Sequence, residues 1–389
     1  MERKRKYQIR IIMLDHLDLD TVPPLCFIQD EDALKRNLSL IKELRKNAGI
    51  KIILALKAYA NWHFFPLIKQ YTDGATASSL NEAKLIFEEM GCRAHTYSTV
   101  YEEEDFEKIL YYSNHLTFNS LTQFEKYKDK VSNNVSVGLR INPEFSQVET
   151  ELYNPCTTGS RLGITSDHLK KLPKGVDGLH FHVLCESTAV DLVNVFKAVD
   201  EKFGDMLFDA KWLNMGGGHL LNSGKYDLTK LIFLCKKIKA KYDVEVILEP
   251  GSGIIWNTGV LVTRVEDIVE ANGVQTLMLN TSFTAHMPDT LEMPYRPDIV
   301  GANKDGEGEH KYRIGGVSCL AGDYLEVYGF SEPVEIGHRI IFKDMMHYTT
   351  VKTNMFNGVR HPDLGVWSLE EGYRTLRSYT YKDYRRRMG

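Results

Sequence analysis

IILALK, residues 52–57, is five apolar residues closed by a lysine, a run too short for a helix and suited to a buried strand that stops at a charge. Working outward, seven more short β-rich runs follow: 73–76, 94–97, 116–118, 135–141 (VSVGLRI), 178–183 (GLHFHV), 212–215 and 245–249 (EVILE). Between them lie stretches with apolar residues at helical spacing. EDALKRNLSLIKELRKNA (31–48) puts Leu34, Leu38, Ile41 and Leu44 on one face, and SLNEAKLIFEEM (79–90) repeats the pattern. Strands alternating with amphipathic helices make βα units around a parallel sheet, and eight such units close a (β/α)8 barrel.

After about residue 255 the pattern changes to Val/Ile/Tyr-rich runs separated by glycine-containing turns: 259–270, 274–280, 312–316, 324–327 and 338–343. These predict a C-terminal antiparallel β domain. Residues 1–25 precede the barrel pattern, which starts at Phe27, and are expected to pair with that domain. The expected organisation is therefore a barrel over 26–255 and a β-rich domain built from 1–25 and 256–389. GANKDGEGEH (301–310) reads as a polar surface loop.

The composition narrows the partners. With 48 Lys and Arg against 52 Asp and Glu, scattered along 389 residues, there is no basic stripe for nucleic acid and no polybasic membrane segment. No apolar stretch approaches the roughly 18–20 residues that span a bilayer, and the run Ile11 to Leu14 is broken by Asp15, too short for a signal peptide. A cytoplasmic protein with a small-molecule substrate is expected. Six cysteines lie far apart without paired spacing, which predicts free thiols rather than disulfides or a metal site.

In such barrels the chemistry collects at the C-terminal ends of the strands. The sequence places Lys57 at the end of the first run, Arg140 in the fifth, His182 in the sixth, Gly216 to Gly218 after the seventh and Glu249 at the end of the eighth. A lysine at the barrel mouth loses water, which lowers its pKa and frees the amine to attack a carbonyl; taken alone it reads more readily as a solvated strand end. LNMGGGH (213–219) and EPGSG (249–253) set two glycine-rich loops side by side after strands seven and eight, where barrels of this kind bind phosphate, the first loop also starting a helix. Glu249 is suited to holding a pyridine nitrogen protonated, or to an ordinary ion pair before Pro250. His182 is placed to stack on an aromatic ring, with His180 deeper on the same side; taken alone, each reads more readily as a satisfied barrel histidine.

ALKAYAN (55–61), FHVLCES (181–187), NMGGGH (214–219), LEPGSG (248–253), GVSCLAGD (316–323) and HYTTVKTNMFNG (347–358) resemble, in this order, the alanine-racemase-like, fold-type III pyridoxal 5′-phosphate (PLP) decarboxylases of ornithine, arginine and diaminopimelate. The resemblance runs from about residue 25 to 360. It implies PLP as cofactor, a barrel plus a C-terminal β domain, and a homodimer with shared active sites. By that resemblance Lys57 bonds the PLP aldehyde, His182 stacks on the ring, Glu249 partners the pyridine nitrogen with Arg140 nearby, and Gly217, Gly218, Gly251, Ser252 and Tyr348 hold the phosphate. Cys319 matches a cysteine that enters from the other subunit and protonates the decarboxylated carbon, with Asp323 beside it.

Two departures bear on the substrate. Leu320 follows Cys319 where ornithine- and diaminopimelate-specific members carry an acid, which argues against both substrates, and Thr76 stands where members carry an acidic residue. RINPEFSQVETELYNPCTTGSRLGI (140–164) and AHMPDTLEMPYRP (285–297) most resemble the branch acting on carboxynorspermidine and carboxyspermidine. A polyamine tail calls for carboxylates along the pocket; the candidates are Glu149, Glu151, Asp289, Glu292 and Asp323, with Arg296, or Ser160 and Arg161, for the departing carboxylate. Competing expectations are a diaminopimelate or other basic amino-acid decarboxylase, a racemase, and a non-catalytic PLP-binding homologue. Cys319 speaks against the second, and Lys57 and Cys319 together speak against the third.

Overall fold

Ile53 marks the point where the barrel closes. In the computed structural model, which describes residues 12–389, Lys51–Ile52 pairs in parallel with Glu245–Leu248, and Leu54–Ala55 pairs in parallel with Ala75–Ala77. Ile53 N–H donates to Leu248 O and Leu54 N–H to Gly74 O, both at 3.0 Å. One stretch of chain thus bonds the last strand with its first half and the next strand with its second. Ala94–Tyr97, Ser113–Phe118, Ser136–Arg140, Gly178–His180 and Trp212–Asn214 complete an all-parallel ring. Each of the eight runs read from the sequence is a strand of this (β/α)8 barrel.

Helices cover the outside of the ring, and local chemistry starts and stops them. Ala189–Leu207 begins with a capping box in which Thr188 and Asp191 satisfy each other's backbone N–H groups. Leu80–Leu85 is capped by Ser79, whose Oγ accepts the Glu82 N–H at 3.2 Å. Inside the ring, Trp212 packs with Ile53 and Ile247 and donates from Nε1 to Ser136 Oγ at 2.9 Å. Its indole occupies the space beside Gly178, where a Cβ would come within 2.1 Å of the ring.

The chain divides into two units, Asn37–Trp256 and Met1–Arg36 with Asn257–Gly389. The second is a nine-stranded sheet ordered Ala302–Asn303, Tyr324–Phe330, His310–Gly315, Val274–Leu279, Gly259–Ala271, Cys26–Asp30, Asp363–Ser368 and Gly372–Arg377, with Arg339–Lys343 also on Gly259–Ala271. Most pairings are antiparallel; Val274–Leu279 with His310–Gly315 and Cys26–Asp30 with Asp363–Ser368 are parallel.

The chain does not enter the barrel at Phe27. Cys26–Asp30 pairs with Gly259–Ala271 and Asp363–Ser368, so it is a central strand of the sheet, buried at all five residues. A strand buried on both faces carries no alternation that would tell a sheet centre from a barrel wall. Of residues 1–25, expected to pair with the sheet, 1–11 lie outside the described residues. Met13–His16 is a helical turn, and Met13 and Val22 contribute side chains rather than strand pairing, packing with Cys26, Ile28, Val260, Val262, Ile341 and Trp367. Among the described residues no helix is long and apolar enough to cross a membrane.

Candidate active site

The rim residues read from the sequence converge at the barrel mouth. Lys57 projects into the opening just past Leu54–Ala55, and its Nζ lies 2.8 Å from His182 Nε2. The other ring nitrogen, Nδ1, accepts the Gly217 N–H at 2.9 Å. Burial, with Lys57 and Arg140 close by, holds the His182 imidazole well below the usual histidine range, so the ring is neutral. A neutral ring that accepts at Nδ1 carries its proton on Nε2. The Nε2–H therefore donates to Lys57, and the lysine receives it with a nitrogen lone pair. Lys57 is a neutral amine in this arrangement. Burial in the mouth lowers its pKa, Glu249 opposes that shift and Arg140 adds to it.

Glu249 ends the last barrel strand and is largely buried. Burial raises its pKa, while a hydrogen bond from Asn214 Nδ2 to Oε1 at 2.7 Å, the nearby Lys57 and a hydrogen bond from Thr76 pull the other way. Thr76 is thus a hydroxyl partner of this carboxyl. Arg140 is fixed from two sides, donating to His182 O at 3.0 Å and lying 4.7 Å from the Tyr97 ring centroid. Glu82 also senses Lys57; burial raises its pKa, and its carboxylate accepts the Ser78 N–H at 2.6 Å.

The two glycine loops lie against each other. A Cβ on Gly217 would stand 2.4 Å from Glu249 O, and one on Gly251 would stand 2.3 Å from Ala58 Cβ, next to Lys57. Gly218 follows Gly217, and Ser252 opens the short turn Ser252–Ile255. The helix expected from the sequence directly behind Gly216 to Gly218 is not found; the next begins at Leu228, capped by Asp227.

In the sheet unit, Cys319 is exposed in the loop after His310–Gly315, its N–H donating to Asn357 Oδ1 at 2.8 Å. Tyr348 has φ 52° and ψ −48°, a conformation that costs a bulky residue energy and tends to persist where a site requires it. Other candidates for the substrate's charges have internal partners. Asp323 is buried, accepting the N–H groups of Phe283 at 2.6 Å, Thr284 at 3.0 Å and Ser318 at 3.0 Å. These three bonds brace the Cys319 loop. Asp289 and Glu292 both pair with Lys352, and Arg296 donates to Val327 O while lying 4.5 Å from the Tyr328 ring centroid. In the barrel unit, Ser160 donates to Pro155 O at 2.6 Å, whereas Glu151 is exposed on the turn Glu151–Tyr153.

A pyridoxal-dependent decarboxylase family model, described as "Pyridoxal-dependent decarboxylase, C-terminal sheet domain", matches residues 26–346. The chain belongs to this family. It is 44% identical over 97% of its length to the carboxyaminopropylagmatine decarboxylase of Synechocystis sp., covering 98% of that protein. It is 42% identical over 92% of its length to the carboxynorspermidine/carboxyspermidine decarboxylase of Campylobacter jejuni, covering 96% of it. The crystal structure of carboxynorspermidine decarboxylase complexed with norspermidine from Campylobacter jejuni matches with a TM-score of 0.86 at 39% identity, over 93% of this chain and 99% of that one.

Sequence reasoning missed Asn214, Tyr97 and Glu82. Asn214 was open to it, since it stands two residues before the glycine triplet on the strand next to Glu249; the other two carry no local signal.

Proposed function

We propose that this chain is a PLP-dependent decarboxylase of carboxynorspermidine and carboxyspermidine, yielding norspermidine and spermidine in polyamine biosynthesis. The observation that carries the chemistry is the neutral Lys57 amine, presented by His182 a short distance from a buried carboxyl. The residues present fit PLP: an amine for its aldehyde, Glu249 for its ring nitrogen, His182 for its face, and two glycine loops so close that a Cβ on Gly217 would overlap Glu249 O. Bound there, PLP supplies an electron-poor ring that accepts the electron pair left when the α-carboxylate departs as CO₂.

The chain's own residues set up that event. His182 orients Lys57 and keeps its lone pair available. Arg140, held by His182 O and the Tyr97 ring, favours a negative charge on Glu249. Gly217, Gly218, Gly251, Ser252 and Tyr348 are assigned to the phosphate. Cys319 is assigned as proton donor to the decarboxylated carbon, reaching it from a second copy in a homodimer; its exposure in a loop flanked by exposed Val317 and Leu320 supports that reading. Six free thiols among the described residues support a cytoplasmic location.

The substrate is an amino acid whose side chain is a cationic amine tail, and Leu320 after Cys319 leaves that position without the acid a short diamine head would need. Glu151 is assigned to the tail. A second reading, carboxyaminopropylagmatine, is favoured by the relative of that name; it shares the amino-acid head and ends in a guanidinium instead of an ammonium. CO₂ release assayed on the three carboxylated polyamines, with diaminopimelate, ornithine and arginine as controls, tests both. Strong preference for the carboxylated polyamines is expected, and comparable turnover of diaminopimelate would overturn the substrate assignment. Preference for the guanidinium substrate would select the second reading.

A further inference from the structure

His180 is the third residue of the barrel strand Gly178–His180 and points into the ring with 3% of its side chain exposed. Neither ring nitrogen has a hydrogen-bond partner among the described residues. Such complete isolation is rare for a buried imidazole. Two other buried histidines show the usual arrangement: His219 Nδ1 lies 3.1 Å from Tyr226 Oη, and His286 Nδ1 lies 3.0 Å from Thr281 Oγ1.

The carboxyl that His180 approaches is that of Glu249. Its Oε1 accepts from Asn214, and its Oε2 lies 3.9 Å from His180 Nε2, too far for a hydrogen bond but within a small side-chain rotation of one. The remaining surroundings fix the charge of His180. Burial, Arg140 and Lys57 hold it neutral, the Tyr97 ring lies against it at 5.3 Å between centroids, and the equally neutral His95 is close by. A ring held neutral by burial beside the Arg140 guanidinium does not compete for a proton. It offers a single N–H.

We propose that His180 is a positioning residue for Glu249: its Nε2–H closes onto Glu249 Oε2 when that carboxyl transfers its proton to the cofactor's ring nitrogen, so the imidazole stabilises the ionised acid. This rests on the reading that Glu249 faces the ring nitrogen. In the transfer the O–H bond of Glu249 breaks and an N–H bond forms on the ring, with no change in oxidation state; the new carboxylate then accepts from Asn214 at one oxygen and from His180 at the other.

Two measurements test it. In apoenzyme carrying ¹³C-labelled glutamate, with the Glu249 resonance assigned by its loss in Glu249→Gln, the carboxyl is expected to titrate about one pH unit higher in His180→Phe, a tenfold change in its ionisation constant. His180→Gln, which keeps a donor of similar reach, is expected to restore the wild-type titration. If His180→Phe does not fold, His180→Asn, too short to reach Oε2, carries the same expectation as Phe. In holoenzyme, PLP affinity is expected to fall about tenfold in His180→Phe and recover in His180→Gln. Identical Glu249 titrations in wild type and His180→Phe, or in wild type and His180→Asn, would overturn the proposal. The underlying reading fails separately: Glu249→Gln that binds PLP with wild-type affinity and visible spectrum would remove Glu249 from the ring nitrogen, whatever the apoenzyme titration gives.

Discussion

Replacing Gly217 by alanine tests how the cofactor loop is built. The new Cβ would sit 2.4 Å from Glu249 O, roughly 1 Å inside the C···O separation of about 3.3–3.6 Å seen in the closest weak hydrogen bonds. The obstacle is backbone at the end of a barrel strand, where Glu249 N–H donates to Gly216 O at 2.7 Å. The loop is therefore the part that moves, and the Gly217 N–H is drawn away from His182 Nδ1. Overpacking of this kind costs about 1–3 kcal/mol, and weakening one hydrogen bond adds about 1 kcal/mol. If half of that total falls on the PLP-bound state alone, roughly 1–2 kcal/mol, affinity drops about five- to thirtyfold. Fluorescence titration of apoenzyme with PLP measures it. Gly224→Ala is the control: its φ of +72° strains any side chain, yet nothing lies within 4 Å of the added Cβ, so a small loss of stability with unchanged PLP affinity is expected. Wild-type PLP affinity in Gly217→Ala would refute the close-packed cradle.

Two further outcomes concern the scaffold. The His219 ring is buried and neutral, its pKa pushed down to about 4 by burial, against about 6.5 when unfolded. A base with a depressed folded pKa contributes stability that is present above pH 6.5 and lost as pH falls toward 4, about 3 kcal/mol for this residue at about 1.4 kcal/mol per unit; His286, pushed down to about 3 by burial, acts in the same direction. Urea unfolding of apoenzyme across pH 4.5–7 should show a shallower acid loss in His219→Gln, and parallel curves would contradict the assignment. Asp323→Ala removes the acceptor for three N–H groups around the Cys319 loop and should lower stability by about 2–4 kcal/mol and cut turnover with little change in KM. A selective rise in KM for the polyamine substrate would instead return Asp323 to the substrate.

The barrel was legible because its strands are short β-rich runs and the longer helices between them show their period, as Leu34, Leu38, Ile41 and Leu44 do; all four are buried. Cys26–Asp30 was not, since full burial gives the same pattern in a sheet centre as in a barrel wall. At the site, Lys57, His182, Gly217 and Glu249 could be placed because strand ends and glycine runs are local features. The acids of the sheet unit could not: whether Asp289, Glu292 or Asp323 faces a ligand depends on Lys352 and on backbone N–H groups about 40–60 residues away in sequence. Thr76 was read as a gap in the charge network, and only the fold shows its hydroxyl bonded to Glu249.

The central claim is that one neutral amine at the barrel mouth carries the cofactor. Borohydride reduction of PLP-loaded enzyme followed by peptide mapping tests it directly. The account predicts the label on Lys57 alone, and no visible PLP band in Lys57→Ala; label on any other lysine, or none at all, would contradict it.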